Sequence, residues 1–215
     1  MLKLIPAALA AVMLAGPAAA HEVWLERDGS GPARAYLGEP VEPVPAAGDP
    51  EFPKLKAPTV FTADPARPAA LTRRANHIEA AVTGEGDVRL VDASVFEPWA
   101  GEGQTKEAAI YYARAGRSET RTALDLEIAP VEPGGDVFVV LYKGAPVAGA
   151  AVTLINPERW SKTFRTDASG RIAAPAEWSG RYILGVTHET AGPKSVGGVA
   201  VAKVYHISTL TFVKP

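Results

Sequence analysis

Cysteine is absent from all 215 residues, which excludes disulfides, thiolate metal ligands and cysteine nucleophiles together. Any chemistry must run on nitrogen and oxygen. An excess of one charge is lacking too: 22 basic and 24 acidic residues give a formal net charge of −2. With no run of Lys or Arg to follow a phosphate backbone, nucleic acid is not an expected partner. Beyond the first twenty residues no apolar stretch approaches the length needed to cross a bilayer, so the chain is not expected to be membrane-embedded. What the sequence has in plenty is Gly (20) and Pro (19), which favours strands, turns and irregular connections over long helices.

Residues 1–20 read as a secretory leader. Lys3 supplies the positive start, Leu4 to Ala15 the apolar stretch, and Ala18-Ala19-Ala20 a small-residue cleavage site before His21. Cleavage after Ala20 leaves 21 basic against 24 acidic residues, a formal charge of −3. Export without disulfides fits a bacterial periplasm, where the core alone must hold the fold.

Two short strands, 22–26 and 33–37, are predicted around the turn Asp28-Gly29-Ser30-Gly31-Pro32. Eight prolines between Pro40 and Pro68 then prevent regular pairing, and a long loop with at most one strand near Thr59–Thr62 is expected. Strand patterns resume at 77–83, 87–95, 108–114 and 122–128. The segment from Pro130 to Gly135, with two prolines and two glycines, reads as a boundary. After it, strands at 137–142, 151–155, 162–166, 171–173, 182–188 and 200–213 are separated by tight turns. The expectation is an all-β protein with two β-sandwich-like domains, 21–130 carrying the Pro-rich loop 40–68, and 131–215.

The second half resembles the transthyretin-like module of carboxypeptidase regulatory domains through KGAPVAGAAV (143–152), TDASGR (166–171) and GRYIL (180–184). Taken whole, the mature chain resembles a secreted domain-of-unknown-function family often placed beside periplasmic components of nickel and cobalt uptake systems. That resemblance rests on HEVWLE (21–26), YLGE (36–39), the transthyretin-like run and HISTLTF (206–212). It implies transition-metal binding and a membrane transporter component as partner, without choosing among nickel, cobalt and copper.

Only four histidines exist, at 21, 77, 188 and 206. After cleavage, the α-amine and imidazole of His21 can chelate a divalent cation as one bidentate unit, as in a copper histidine brace. If 182–188 and 200–213 form a hairpin closing near Gly197, residues whose numbers sum to 394 face each other, and His188 meets His206 at a Cβ separation of about 4.5–5.5 Å. A slip of one residue would send one ring to the other face. His77, beside Arg73, Arg74 and Asn76, reads as structural. Glu22, Glu39 and Glu189 are the carboxylates nearest the candidate ligands, either as ligands or as partners orienting an imidazole.

Catalytic signatures are thin. Gly-x-Ser-x-Gly is absent, and Gly84-Glu85-Gly86 and Gly197-Gly198 lack the helix and Lys of a phosphate loop. The expected function is binding of a divalent transition metal ion through His21, His188 and His206, without turnover. The alternatives are a histidine-brace copper oxidase acting on polysaccharide, and a carbohydrate- or protein-binding module in which Trp24, Trp99, Trp160 and Trp178 serve as a platform.

Overall fold

Alternating apolar and polar residues broken by Gly and Pro leave the chain little choice but strands. In the computed structural model, which describes residues 21–215, strands form nearly every regular element; the expected leader over 1–20 lies outside these residues. In chain order they are β1 (Glu22–Arg27), β2 (Ala33–Gly38), β3 (Thr59–Phe61), β4 (Leu71–Arg73), β5 (Ile78–Ala80), β6 (Val88–Asp92), β7 (Trp99–Ala100) and β8 (Lys106–Ala115). They continue as β9 (Leu126–Pro130), β10 (Val137–Tyr142), β11 (Ala145–Pro146), β12 (Ala151–Ile155), β13 (Ser161–Arg165), β14 (Arg171–Ala173), β15 (Gly180–Val196) and β16 (Val199–Lys214). A 3-10 turn at Phe52–Lys54, opened by Pro53, is the one helical element among the described residues.

The strands build three sheets. The largest runs β13-β12-β15-β16-β8-β6-β3, with the short β7 beside β8. On one face lies the sheet β1-β2-β5-β4, and on the other β9 and β10 with β11 and β14. Odd-numbered residues of β16 face β1: Ile207 joins the core of Val23 and Leu25, and the Thr209 hydroxyl donates to the Val23 carbonyl at 2.8 Å. Even-numbered residues face the opposite way, where Leu210 and Phe212 pack with Leu126, Ile128 and Phe138. Because β8 and β16 are covered on both faces, their central residues are buried almost without alternation.

The all-β expectation holds, while the sheet pairing crosses the expected boundary. β8 and β16 pair in parallel, from Lys203 opposite Glu107 to Thr211 opposite Ala115, so strands from both sides of residue 130 share one sheet. The Pro- and Gly-rich segment 130–135 is a hairpin connection between β9 and β10 rather than a linker. Gly134 takes φ +74° there, and its amide donates to the Arg117 carbonyl at 2.7 Å. Pairing of strands nearly a hundred residues apart leaves no local trace, whereas a Pro-Gly break reads alike in a turn and a linker.

The β9 layer is tied to the central sheet through buried charge. Arg89 on β6 and Arg114 on β8 are cross-strand neighbours, and both side chains are fully buried. Glu127 Oε1 on β9 accepts from Arg89 Nε and from Arg114, each at 2.8 Å, while its Oε2 accepts the Ala123 and Leu124 amides at 2.6 and 2.9 Å. Asp87 holds the other side of Arg114 through Nε at 2.9 Å and also accepts from Ser118. Paired guanidiniums in a dry interior are tolerated only with such complete satisfaction. Glu127→Gln should therefore destabilise the protein by about 3–5 kcal/mol in chemical denaturation, against under about 0.5 kcal/mol for Asp64→Asn at the exposed Arg67 pair.

Candidate functional site

The hairpin β15–β16 carries the candidate site. Its turn is Gly197-Gly198, with φ +57° and +79°, the two-residue turn whose twist suits a hairpin. Beside this turn the facing pairs are Val196–Val199, Ser195–Ala200 and Lys194–Val201, whose numbers sum to 395. Continued unbroken, that register would set His188 opposite Ile207. Between Ala191 and Lys194 the register shifts by one: Gly192, at φ +107°, and Pro193 form a bulge. Beyond it the sum is 394, and His188 faces His206.

Both rings project toward β10. The His188 and His206 centroids are 6.5 Å apart, and the Tyr142 ring leans against both, at 4.7 and 4.8 Å. His206 is buried. Its Nδ1 lies 3.1 Å from the Tyr112 hydroxyl, and its Nε2 lies 3.2 Å from Thr190 Oγ1 and 3.3 Å from the Tyr142 hydroxyl. Lys194 Nζ donates to Thr190 Oγ1 at 2.7 Å, so the Thr190 proton is free to point at Nε2. The neutral tautomer that donates from Nδ1 to Tyr112 leaves the Nε2 lone pair turned toward Tyr142 and Thr190. Burial, then the Lys194 charge and His188, push His206 down to about 4. Burial first and Lys194 second also lower His188. Both imidazoles are neutral at pH 7.

His21 is elsewhere. Its Nε2 lies 3.1 Å from Asp49 Oδ1, and its neighbour Glu22 presses on Gly185, on the β1 side of the central sheet. The expected grouping of His21 with His188 and His206 is not what the structure brings together: β alternation puts the pair on the face away from β1, where His21 does not reach it. Among the described residues no three His, Cys, Asp or Glu side chains gather as a metal site. Glu189, next to His188, necessarily points to the other face, where it lies 3.8 Å from Lys203, and Glu39 lines a small cavity with Trp24 and Asp49. His77 bonds Asn76 through Nδ1 at 2.8 Å and packs on Tyr36. Tyr112, Tyr142, Thr190 and Lys194 were not singled out from the sequence. Thr190 was within reach of period-two counting from His188, but Lys194 lies beyond the bulge and the tyrosines come from other strands.

Glu22 is the other unusual group. A Cβ at Gly185 would lie 2.9 Å from its Oε1, so the glycine makes room for a carboxyl whose burial raises its pKa to about 7. An acid that titrates higher when folded supports folding below about pH 4.5, and that support is lost as pH rises through about 7. Relative to the parent, Glu22→Gln should leave stability unchanged at pH 4 and raise it by an amount of order 1–3 kcal/mol at pH 8. Denaturant titrations at the two pH values check this; an equal difference at both would remove the buried-acid reading.

No family model matches the chain, and neither a curated protein nor a solved structure matches it.

Proposed function

We propose that the protein binds a divalent transition metal ion at the hairpin pair His188 and His206, with Tyr142 beside them, and acts as an exported metal-binding protein. The observation that carries this reading is the His206 network, with the Tyr112 hydroxyl at Nδ1 and the Tyr142 and Thr190 hydroxyls at Nε2; a proton held on Nδ1 leaves the Nε2 lone pair for the ion. Metal-ligating imidazoles are commonly fixed in this manner by a hydrogen bond at the nitrogen that does not bind the metal. Metal–nitrogen bonds of about 2.0–2.1 Å set two imidazoles of one tetrahedral ion with centroids about 5 Å apart, so the 6.5 Å between His188 and His206 has to close by about 1 Å on binding. The donor set suits nickel, copper, cobalt or zinc rather than calcium or magnesium. Solvent would fill the remaining positions, and the Lys194 ammonium opposes the ion's charge.

A periplasmic location, with cleavage after Ala20, and a membrane transporter component as recipient belong to the same reading, supported by the leader-like sequence and the family resemblance. The stretch 143–184 is read as a transthyretin-like module, supported by turn residues Gly144, Gly149 and Gly170, all at positive φ. His21 is left outside the site.

Calorimetric titration of residues 21–215 with nickel, cobalt, copper and zinc tests the function. One ion should bind with Kd of roughly micromolar order, about −8 kcal/mol. His188→Ala and His206→Gln should each weaken binding about tenfold or more, the double substitution should cost less than the sum, and His77→Ala should change nothing. Binding by both single variants as tight as the parent's would overturn the reading.

Proton competition and Lys194 supply a further check. Because both imidazoles titrate below their ordinary range, affinity should stay level from pH 8 to 6.5 and fall only as the solution becomes more acid. Lys194→Gln should tighten binding several-fold at pH 7. Loss of affinity already between pH 8 and 7, or no effect at Lys194, would place the ion elsewhere.

A further inference from the structure

Of the four tryptophans, Trp24 is buried and stacked on Tyr36, and Trp99 stacks on Tyr205. Trp160 and Trp178 do neither: they are 78% and 55% exposed and line the same groove of about 710 Å³ at the β12–β13 end of the central sheet. Two large indoles left in water beside one cavity require a ligand or a reason.

The backbone under both rings is fixed. Asn156 Oδ1 accepts the Trp160 amide at 2.8 Å, closing the turn between β12 and β13 in which Arg159 takes φ +64°. The Tyr182 hydroxyl donates to the Trp178 carbonyl at 3.0 Å and lies 2.9 Å from the Trp178 amide, with its own ring stacked on Phe212. Gly180 lets the two loops meet, since a Cβ there would come within 2.7 Å of Pro157. The backbone under the indoles is held, so a ligand would have to order only the two side chains.

We propose that this groove binds a neutral oligosaccharide, lying across Trp160 and Trp178. The volume falls in the about 300–1,000 Å³ range of small-ligand sites, which suits a few sugar rings. Indole faces take the C–H faces of pyranose rings, and Glu158, Glu177, Lys162 and Ser161 on the lining offer acceptors and donors for the hydroxyls. Two carboxylates against one ammonium disfavour an acidic sugar. Strand addition by a peptide is disfavoured by the edge itself: β13 is five residues long and carries Lys162 and Arg165, the short, basic kind of edge that resists pairing. This site is independent of the hairpin histidines.

The probes are cellohexaose, chitohexaose and an oligogalacturonate of similar length, read by tryptophan fluorescence and calorimetry on residues 21–215. At least one neutral hexaose should bind and shift the emission to the blue, more tightly than the oligogalacturonate. Trp160→Ala and Trp178→Ala, both surface changes, should each weaken it about tenfold while leaving metal affinity unchanged. Three outcomes overturn the proposal: no neutral hexaose binding at millimolar concentration, binding untouched by both substitutions, or a monomer–dimer equilibrium in sedimentation that Trp160→Ala abolishes, which would give the face to a second copy of the chain.

Discussion

A one-residue bulge governs where the candidate site lies. The Gly197-Gly198 turn, left to itself, sets a register that puts Ile207 opposite His188; Gly192 and Pro193 add the residue that moves His206 into that place. Since side chains alternate between faces, a shift of one residue is the difference between an imidazole pair against Tyr142 and a histidine facing an isoleucine. Gly192 supplies the positive φ and Pro193 lacks the amide that a regular ladder would need. The bulge also belongs to the segment holding Lys194, so the register and the electrostatics of the pair come from the same few residues.

The rest of the molecule holds that hairpin flat between two layers. β16 is pinned on one side by Thr209 and Thr211 hydroxyls on β1 carbonyls, and on its other flank by the parallel β8. Across the opposite face, Glu127 draws β9 onto Arg89 and Arg114. The consequence for the site is a wall from two sources: Tyr112 comes from β8, the neighbour of β16 in the central sheet, and Tyr142 from β10, which meets His206 only when the outer layer is in place.

Much of the fold was legible locally. The strands at 137–142, 151–155 and 171–173 fall where Gly-Ala-Pro and Asp-Ala-Ser-Gly turns delimit them, because turn chemistry and period-two alternation are properties of neighbouring residues. The facing of His188 and His206 was anticipated from a sum of 394, a sum that depends on a bulge the reading did not include. The parallel pairing of β8 with β16, the layering and the aromatic neighbours of the histidines are long-range, and nothing in a short window encodes them. His21 was drawn to the pair by its chemistry alone; its position on the β1 face, beside Asp49, depends on which side of the central sheet β1 packs. Of the tryptophans, composition could count four but not separate the buried Trp24 and the Trp99 ring stacked on Tyr205 from Trp160 and Trp178, which have no aromatic partner among the described residues.

The most direct measurement is nitrogen-15 NMR of the histidine rings during addition of zinc, a diamagnetic ion. Before zinc, His206 at pH 7 should be neutral with its proton on Nδ1. Over the first equivalent, the Nε2 signal of His206 and one ring nitrogen of His188 should move together, while His77 stays fixed. A His206 ring that carries its proton on Nε2, or a pair whose signals are unmoved while zinc binds, would contradict the claim that these two imidazoles hold the ion.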